Sequence, residues 1–283
     1  MSTNTTLPIR TFSPTSTDAY AFCPRYWGFY RDRLKPRCIT YPEIAAIVGT
    51  AVAAGLEAFY KSRQISQPIN AGVITTAAQA VAAERRDEAL AGGLRYVSAN
   101  EQDKWDAIDE NVALCLRVHE KADPFKDYDV AAVEVSDVHK GRADLVLKDD
   151  HGLLVVDFKC KLTLRSEWVK KEQAKWRRSW QLHHYTITRH APRFAVALIA
   201  PHTRAGVVYE ITPLNPAYAT LWISDASKLW AEMDYYKDLP FEHLRGNTSH
   251  ANEYGECQYW AEACSHGMDS TMVAANLIKV GDK

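Results

Sequence analysis

The hydrophobic pattern of this chain changes period twice. Over residues 13–34, "SPTSTDAYAFCPRYWGFYRDRL", it begins at helical spacing, with Ser16, Thr17 or Asp18 as candidate N-caps and Pro24 breaking the run into two short helices. "YPEIAAIVGTAVAAGLEAFYKSR" (41–63) is rich in alanine with apolar residues three and four apart, and predicts a strong helix. Helical patterns with charged outer faces also fit roughly 75–92 and 102–122. From about residue 128 the period falls to two. "DYDVAAVEVSDV", "KGRADLVLKDD" and "GLLVVDFKC" predict a meander of three strands joined by short polar turns. Helix returns over 172–190, "RFAVALIAP" and "GVVYEITPL" read as two more strands, and 216–236 as a last helix. From about 240 the chain is irregular, and there is no internal repeat or low-complexity linker. A helical part, a strand–strand–strand–helix–strand core and a loose end imply an α/β or α+β protein. The divisions fall at 1–127, 128–238 and 239–283, packed as one compact domain overall.

Composition narrows this only slightly. A chain of 283 residues can bury a sizeable core. Its net charge of −1 argues against a protein that binds nucleic acid by bulk charge, and leaves room for a local basic patch. No run of about 18 apolar residues is present, and "MSTNTTLPIRTFSPTSTDAY" has no apolar signal-peptide core. The expectation is a cytoplasmic protein with no membrane partner. Six cysteines in a chain this long do not make a dense disulfide framework. Cys115, on the apolar face of "NVALCLRVHE", reads as core filler.

The chemistry concentrates in "VVDFKCK" (155–161). Side chains alternate along a strand, so Asp157 and Lys159 share one side and Cys160 faces the other. If the turn "KDDHG" pairs the second and third strands, Asp144 converges with Asp157 at one sheet end, and Glu134 can join them. Two or three carboxylates with a lysine suit Mg²⁺-dependent phosphodiester hydrolysis. The acids hold a hard cation, and the lysine positions water or offsets developing charge. A buried ion pair or solvated strand ends is the plainer alternative. Basic and aromatic residues interleave in "WVKKEQAKWRRSW": Lys170, Lys171, Lys175, Trp176, Arg177 and Arg178 form a candidate strip for phosphates and bases, against a solvated helix with core tryptophans. "RYWGFYRDRLKPR" (25–37) is a second such stretch, and His183 and His184 fill or solvate their helix.

Taken in order, "GRADLVL", "LLVVDFKCK" and "WQLHHY" resemble the RecB-like branch of the PD-(D/E)XK nucleases. That pattern runs as an acid in one strand, G-x-x-D in the next, D-x-K on a third and Q-x-x-x-Y on a helix. It falls here on Glu134, Asp144, Asp157 with Lys159, and Gln181 with Tyr185. "SPTSTDAYAFCPRYW" and "VGTAVAAGLEAFY" are similar to the family's opening segments, and the matches span residues 13 to 264. The resemblance implies a restriction-endonuclease-like α/β core, a central mixed sheet flanked by helices, with a helical N-terminal region and a cysteine-bearing C-terminal tail. It implies a deoxyribonuclease using Mg²⁺ or Mn²⁺, an exonuclease of phage or bacterial DNA recombination and repair, related to the nucleases of CRISPR spacer acquisition. In it Asp144, Asp157, Glu134 and the carbonyl of Phe158 surround the metal. Lys159 orients the water, and Gln181 and Tyr185 organise the site. DNA is the implied partner, alongside a second copy or a recombination protein.

Two departures stand out. The family's helix histidine is missing, with Ala53 or a neighbour in its place, and a weakened or inactive member that binds DNA or a partner is the alternative reading. Many relatives carry a [4Fe–4S] cluster on four cysteines; here Cys23, Cys257 and Cys264 match, and Ala251 or Asn252 replaces the remaining one. His250, or less readily Cys38, is then the fourth ligand to a cluster or zinc; otherwise packing holds the ends.

Overall fold

Period-two alternation places strands where a sheet can bury one or both faces, and the chain builds its centre that way. A computed structural model describes residues 12–36, 38–39, 41–91, 96–97, 99–136, 142–161, 166–177, 179–201, 206–240, 243–244, 251–252, 255–256 and 277–279. The N-terminal half comprises α1 (Pro14–Phe22), α2 (Pro24–Arg31), β1 (Leu34–Pro36), β2 (Cys38–Ile39), α3 (Tyr41–Gln64), α4 (Ala71–Ala91), β3 (Tyr96–Val97), α5 (Gln102–Asp106) and α6 (Ile108–Ala122). Then come β4 (Asp129–Ser136), β5 (Arg142–Asp149), β6 (Gly152–Cys160), α7 (Ser166–Trp176), α8 (Trp180–Thr188), β7 (Arg193–Ile199), β8 (Val207–Pro213) and α9 (Pro216–Tyr236). Short strands β9 (Ala251–Asn252), β10 (Gly255–Glu256) and β11 (Leu277–Lys279) follow, and β11 pairs antiparallel with β1.

Several boundaries differ from those expected. The cap of α1 is Ser13, whose side chain accepts from the Ser16 N–H, because Pro14 sits at the first turn where its missing donor costs nothing. The 102–122 helix is two pieces meeting at Ala107, and the 172–190 helix is α7 and α8, starting earlier, at Ser166.

Strands β4 to β8 form one sheet in sequence order, antiparallel throughout except for the parallel β6–β7 step. The expected α/β class, a central mixed sheet flanked by helices, is what the chain adopts. The β5–β6 hairpin turns through Gly152, at a positive φ of 95°, while Asp149 accepts the His151 N–H at 2.8 Å and pairs with Arg193 at the start of β7. A parallel step needs a crossover, and α7 with α8 supplies it.

One sheet face carries Leu145, Leu147, Leu154 and Val156, buried among Val52 and Leu56 of α3 and Val112 of α6. The other carries Val146 and Val155 against Leu182 and Tyr185 of α8. A third cluster joins Trp27 and Phe29 of α2 to Trp222 and Trp230 of α9. Residues Glu43–Gln64 of α3 are long and apolar enough to cross a membrane by length and composition. Their apolar stripe, Ile44, Val48, Val52 and Leu56, lies in the core under the sheet, which makes α3 the central helix of the fold.

Part of the stretch 25–37 is committed to the fold. Trp27 and Phe29 are buried. Arg25 donates to the Leu244 carbonyl at 3.1 Å, and Arg31 donates to those of Lys237 and Leu239 at 2.7 Å each. These cations satisfy backbone acceptors after α9, so they act as ties between the two ends of the chain.

Candidate active site

Strand β6 delivers the central pair. Asp157 is fully buried, and its Oδ2 lies 2.7 Å from Lys159 Nζ, on the shared face that strand alternation requires. The β5–β6 ladder runs to Leu145 opposite Val156, which brings Asp144 beside Asp157. There Asp144 Oδ2 accepts the Phe158 N–H at 2.8 Å. Helix α8 closes the arrangement: Lys159 Nζ donates to Gln181 Oε1 at 3.2 Å, and Gln181 Nε2 donates to the Tyr185 hydroxyl at 3.1 Å. Gln181 and Tyr185 stand four apart, one turn on the same helix face. Lys159 Nζ also sits 4.8 Å from the Trp176 ring centroid, and Lys175 Nζ lies 5.1 Å from the same centroid.

Glu134 approaches from β4 and has the left-handed φ of 50°, a strained conformation for a non-glycine residue in a strand. Its Oε2 is 2.6 Å from Arg142 Nε. A narrow cleft between α3 and these strands is lined by Ala53, Leu56, Glu57, Tyr60, Glu134, Asp144 and Phe158. Ala53 does face the site, and it brings no donor. Tyr60 stacks on Phe158, with ring centroids 5.7 Å apart and 24° between planes, while its hydroxyl meets His119 Nε2 at 3.0 Å. Glu57 and Tyr60 were not singled out from the sequence. The available signal was their spacing of four and seven residues from Ala53 on one helix face.

Burial and crowding of negative charge set the electrostatics. Burial, then the neighbouring Asp157, push the Asp144 acid up to about 7. Burial also raises Glu134, against the pull of Arg142. Burial opposes the charge on Lys159, but Asp157 and Asp144 outweigh it and hold the ammonium above the ordinary lysine value. Tyr185 is pushed up to about 12 by burial and stays a neutral hydroxyl.

Whether a metal fits follows from the donors. Among the described residues no group of three or more His, Cys, Asp or Glu side chains stands ready as a metal site. Asp157, Glu134 and Asp144 are turned to Lys159, Arg142 and the Phe158 N–H respectively. Yet Asp157 Oδ1 is buried with no hydrogen-bond partner, a cost of roughly 1–3 kcal/mol that a cation would relieve. Asp144 lies beside Asp157 and feels its charge and that of Glu134, and carboxylates are the hard oxygen donors that Mg²⁺ takes. The residues present fit the ion.

The remaining candidates scatter. Lys170 and Lys171 are exposed on α7, and Arg177 lies 3.4 Å from Glu210; Arg178 is outside the described residues. Trp180 packs on Trp222, with centroids 5.3 Å apart, and so belongs to the core cluster. His183 and His184 are buried on α8. Cys160 packs on the α3 side of the sheet with Cys115, whose thiol hydrogen bond, reinforced by burial, pushes Cys160 up and leaves it inert. Cys23 caps α2, whereas Cys257, Cys264 and His250 fall outside the described residues.

Comparison with known proteins bears on the whole chain. No curated protein matches it. A solved structure described as "Crystal structure of SSO0001" is similar at 16% identity over 46% of this chain and 68% of that one, with a TM-score of 0.25, too low to carry any argument. The model of the PD-(D/E)XK nuclease superfamily matches residues 11–265, from α1 past α9. The chain therefore belongs to the PD-(D/E)XK nuclease superfamily.

Proposed function

We propose that this protein is a RecB-like, divalent-metal-dependent deoxyribonuclease, an exonuclease that hydrolyses DNA phosphodiester bonds in recombination, repair or phage DNA processing in the cytoplasm. The observation that carries the reading is the buried Asp157–Lys159 pair beside Asp144, with Asp157 Oδ1 lacking a partner. Asp144, Asp157, Glu134 and the Phe158 carbonyl would hold a Mg²⁺ or Mn²⁺ ion. When bound, the ion supplies Lewis acidity toward the phosphate and the attacking water. Lys159 orients that water and offsets charge developing on the phosphate oxygens. Gln181, itself held by Tyr185, fixes the ammonium for this task. The exposed Lys170 and Lys171, with Lys175, Trp176, Arg177 and Arg178, would lead the DNA strand to Lys159.

A second reading, DNA or partner binding without cleavage, draws on Ala53 lining the cleft with no donor and on the closed Asp157–Lys159 pair. Of the candidate ligands to an iron–sulfur or zinc clamp, Cys23 and Cys38 are among the described residues, and no part of the proposal depends on the clamp. The test incubates wild type and Asp157→Ala with linear and covalently closed DNA, single- and double-stranded, in Mg²⁺ and in Mn²⁺. Wild type should shorten the linear forms and spare the closed ones. Asp157→Ala should lose at least about 100-fold in rate, as expected when a charge-stabilising group is removed. Undiminished cleavage by the variant contradicts the mechanism, and tight binding with no cut in either metal establishes the second reading.

A further inference from the structure

The charged face of β6 does not stop at Lys159. The Lys161 N–H donates to the Ile199 carbonyl at 2.9 Å, so the pairing with β7 carries on one residue past Cys160 and sets Lys161 on the face of Asp157 and Lys159. Two strand residues separate the lysines by about 6.6 Å of backbone. Helix α7 lies over them. Its buried Glu172 puts Oε2 3.0 Å from Lys161 Nζ, and the same oxygen accepts the Trp176 indole N–H at 3.3 Å. The Trp176 ring in turn lies against Lys159. Resting on the nuclease reading above, we propose that Lys161 grips the DNA phosphate next to the one being cut, and that Glu172 occupies that phosphate's place until DNA arrives.

Three observations carry this. The two lysines are equally open: the Lys161 side chain is 20% exposed and that of Lys159 is 22%, so a strand that reaches one reaches the other. Their separation is close to the reach of one nucleotide in an extended strand, which lets successive cations meet successive phosphates. Lastly, an ammonium and an indole N–H converge on a single carboxylate oxygen, and a phosphate oxygen offers those donors the same charged acceptor. Exchanging Glu172 for phosphate keeps Lys161 paired in both states, so no half-buried ammonium is stranded. Lys175, three residues on along α7, can take up the released carboxylate. The exposed Lys170 and Lys171 on the same helix continue the basic surface outward from this point.

The test follows binding of a labelled linear duplex and a labelled single strand to the full chain across a series of salt concentrations, in metal-free buffer so that nothing is cut. Each phosphate contact adds about 0.9 to the slope of log affinity against log salt on duplex DNA, and about 0.7 on a single strand. Lys161→Met, which keeps the stem and removes the charge, should weaken binding and lower the slope by that amount, whereas Lys161→Arg should keep it. Glu172→Gln, which can still accept the indole N–H, should tighten binding, and adding Lys161→Met to it should abolish the gain. The double variant leaves no buried acid without its partner, so its slope against that of Glu172→Gln reads the contact even where Lys161→Met unfolds. An unchanged slope on loss of the Lys161 charge, or a Glu172→Gln gain that survives in the double variant, overturns the role of Lys161 and leaves the nuclease reading standing. Wild-type protein that binds neither form of DNA at low salt overturns both.

Discussion

Asp144 gives the site a pH signature whose sign can be fixed. Its folded acid sits at about 7, above the ordinary 3.8, through burial and the adjacent Asp157. Between these values the folded chain keeps a proton that the unfolded chain has released. Its contribution to stability is therefore complete below 3.8 and lost as pH rises through about 7. His119 works in the opposite direction. Burial lowers it from 6.5 to about 4, so its contribution is present above 6.5 and lost as pH falls through about 4. The two trends overlap, and only a difference isolates the acid. In metal-free solution, the stability of wild type relative to Asp144→Asn should fall steadily from pH 4 to pH 7, as read by chemical denaturation at each pH. A flat difference contradicts the raised acid. At this level the sequence was informative for some residues and silent for others. Asp157 and Lys159 could be placed on one face because a strand has a fixed period of two. Glu57, four residues before Lys61, reads by residue type as an ordinary surface pair on a helix, although it lies in the stretch "VGTAVAAGLEAFY" that resembles the family's helix. The left-handed φ of Glu134 likewise leaves no trace in residue type.

Among the helices, α1 has a job that its composition conceals. Its Ser16 hydroxyl accepts the buried Trp27 indole N–H at 2.8 Å, and its Thr17 hydroxyl accepts that of Trp230 at 3.2 Å. Both residues looked like N-cap candidates; in the structure they satisfy tryptophans in the cluster that joins α2 to α9. Ser16→Ala should cost about 1–3 kcal/mol of stability, the desolvation penalty of an indole left without a partner, with unfolding still cooperative. Unchanged denaturation midpoints would falsify that assignment. The same tertiary demand acts on 25–37. Interleaved arginines and aromatics suit DNA and suit a buried seam equally well, and Arg25 and Arg31 are taken up by the carbonyls after α9. Helix existence was legible from apolar spacing. The breaks at Ala107 and between α7, which ends at Trp176, and α8, which begins at Trp180, were not, since no proline or glycine marks them.

Across the molecule, the acids lie where the β5–β6 ladder ends, with α3 on one side of the sheet and α8 on the other. Antiparallel pairing of β5 and β6 brings Asp144 to Asp157. The parallel step to β7 forces a crossover, and that crossover returns Gln181 to Lys159. The order of these motifs was legible in the sequence because each sits on a strongly periodic element. The convergence of Asp144 with Asp157 was legible from the short turn between β5 and β6, whereas the return of Gln181 depended on strand order, which periodicity does not encode. Under the proposed function, Lys159 is part of the chemistry and not merely the partner of a buried acid. Single-turnover cleavage of one linear DNA duplex at saturating Mg²⁺, comparing wild type with Lys159→Ala while DNA binding is followed on the same samples, tests it most directly. Lys159→Ala should lose about 10²–10³-fold in rate with binding retained. Equal rates for the two proteins would contradict it.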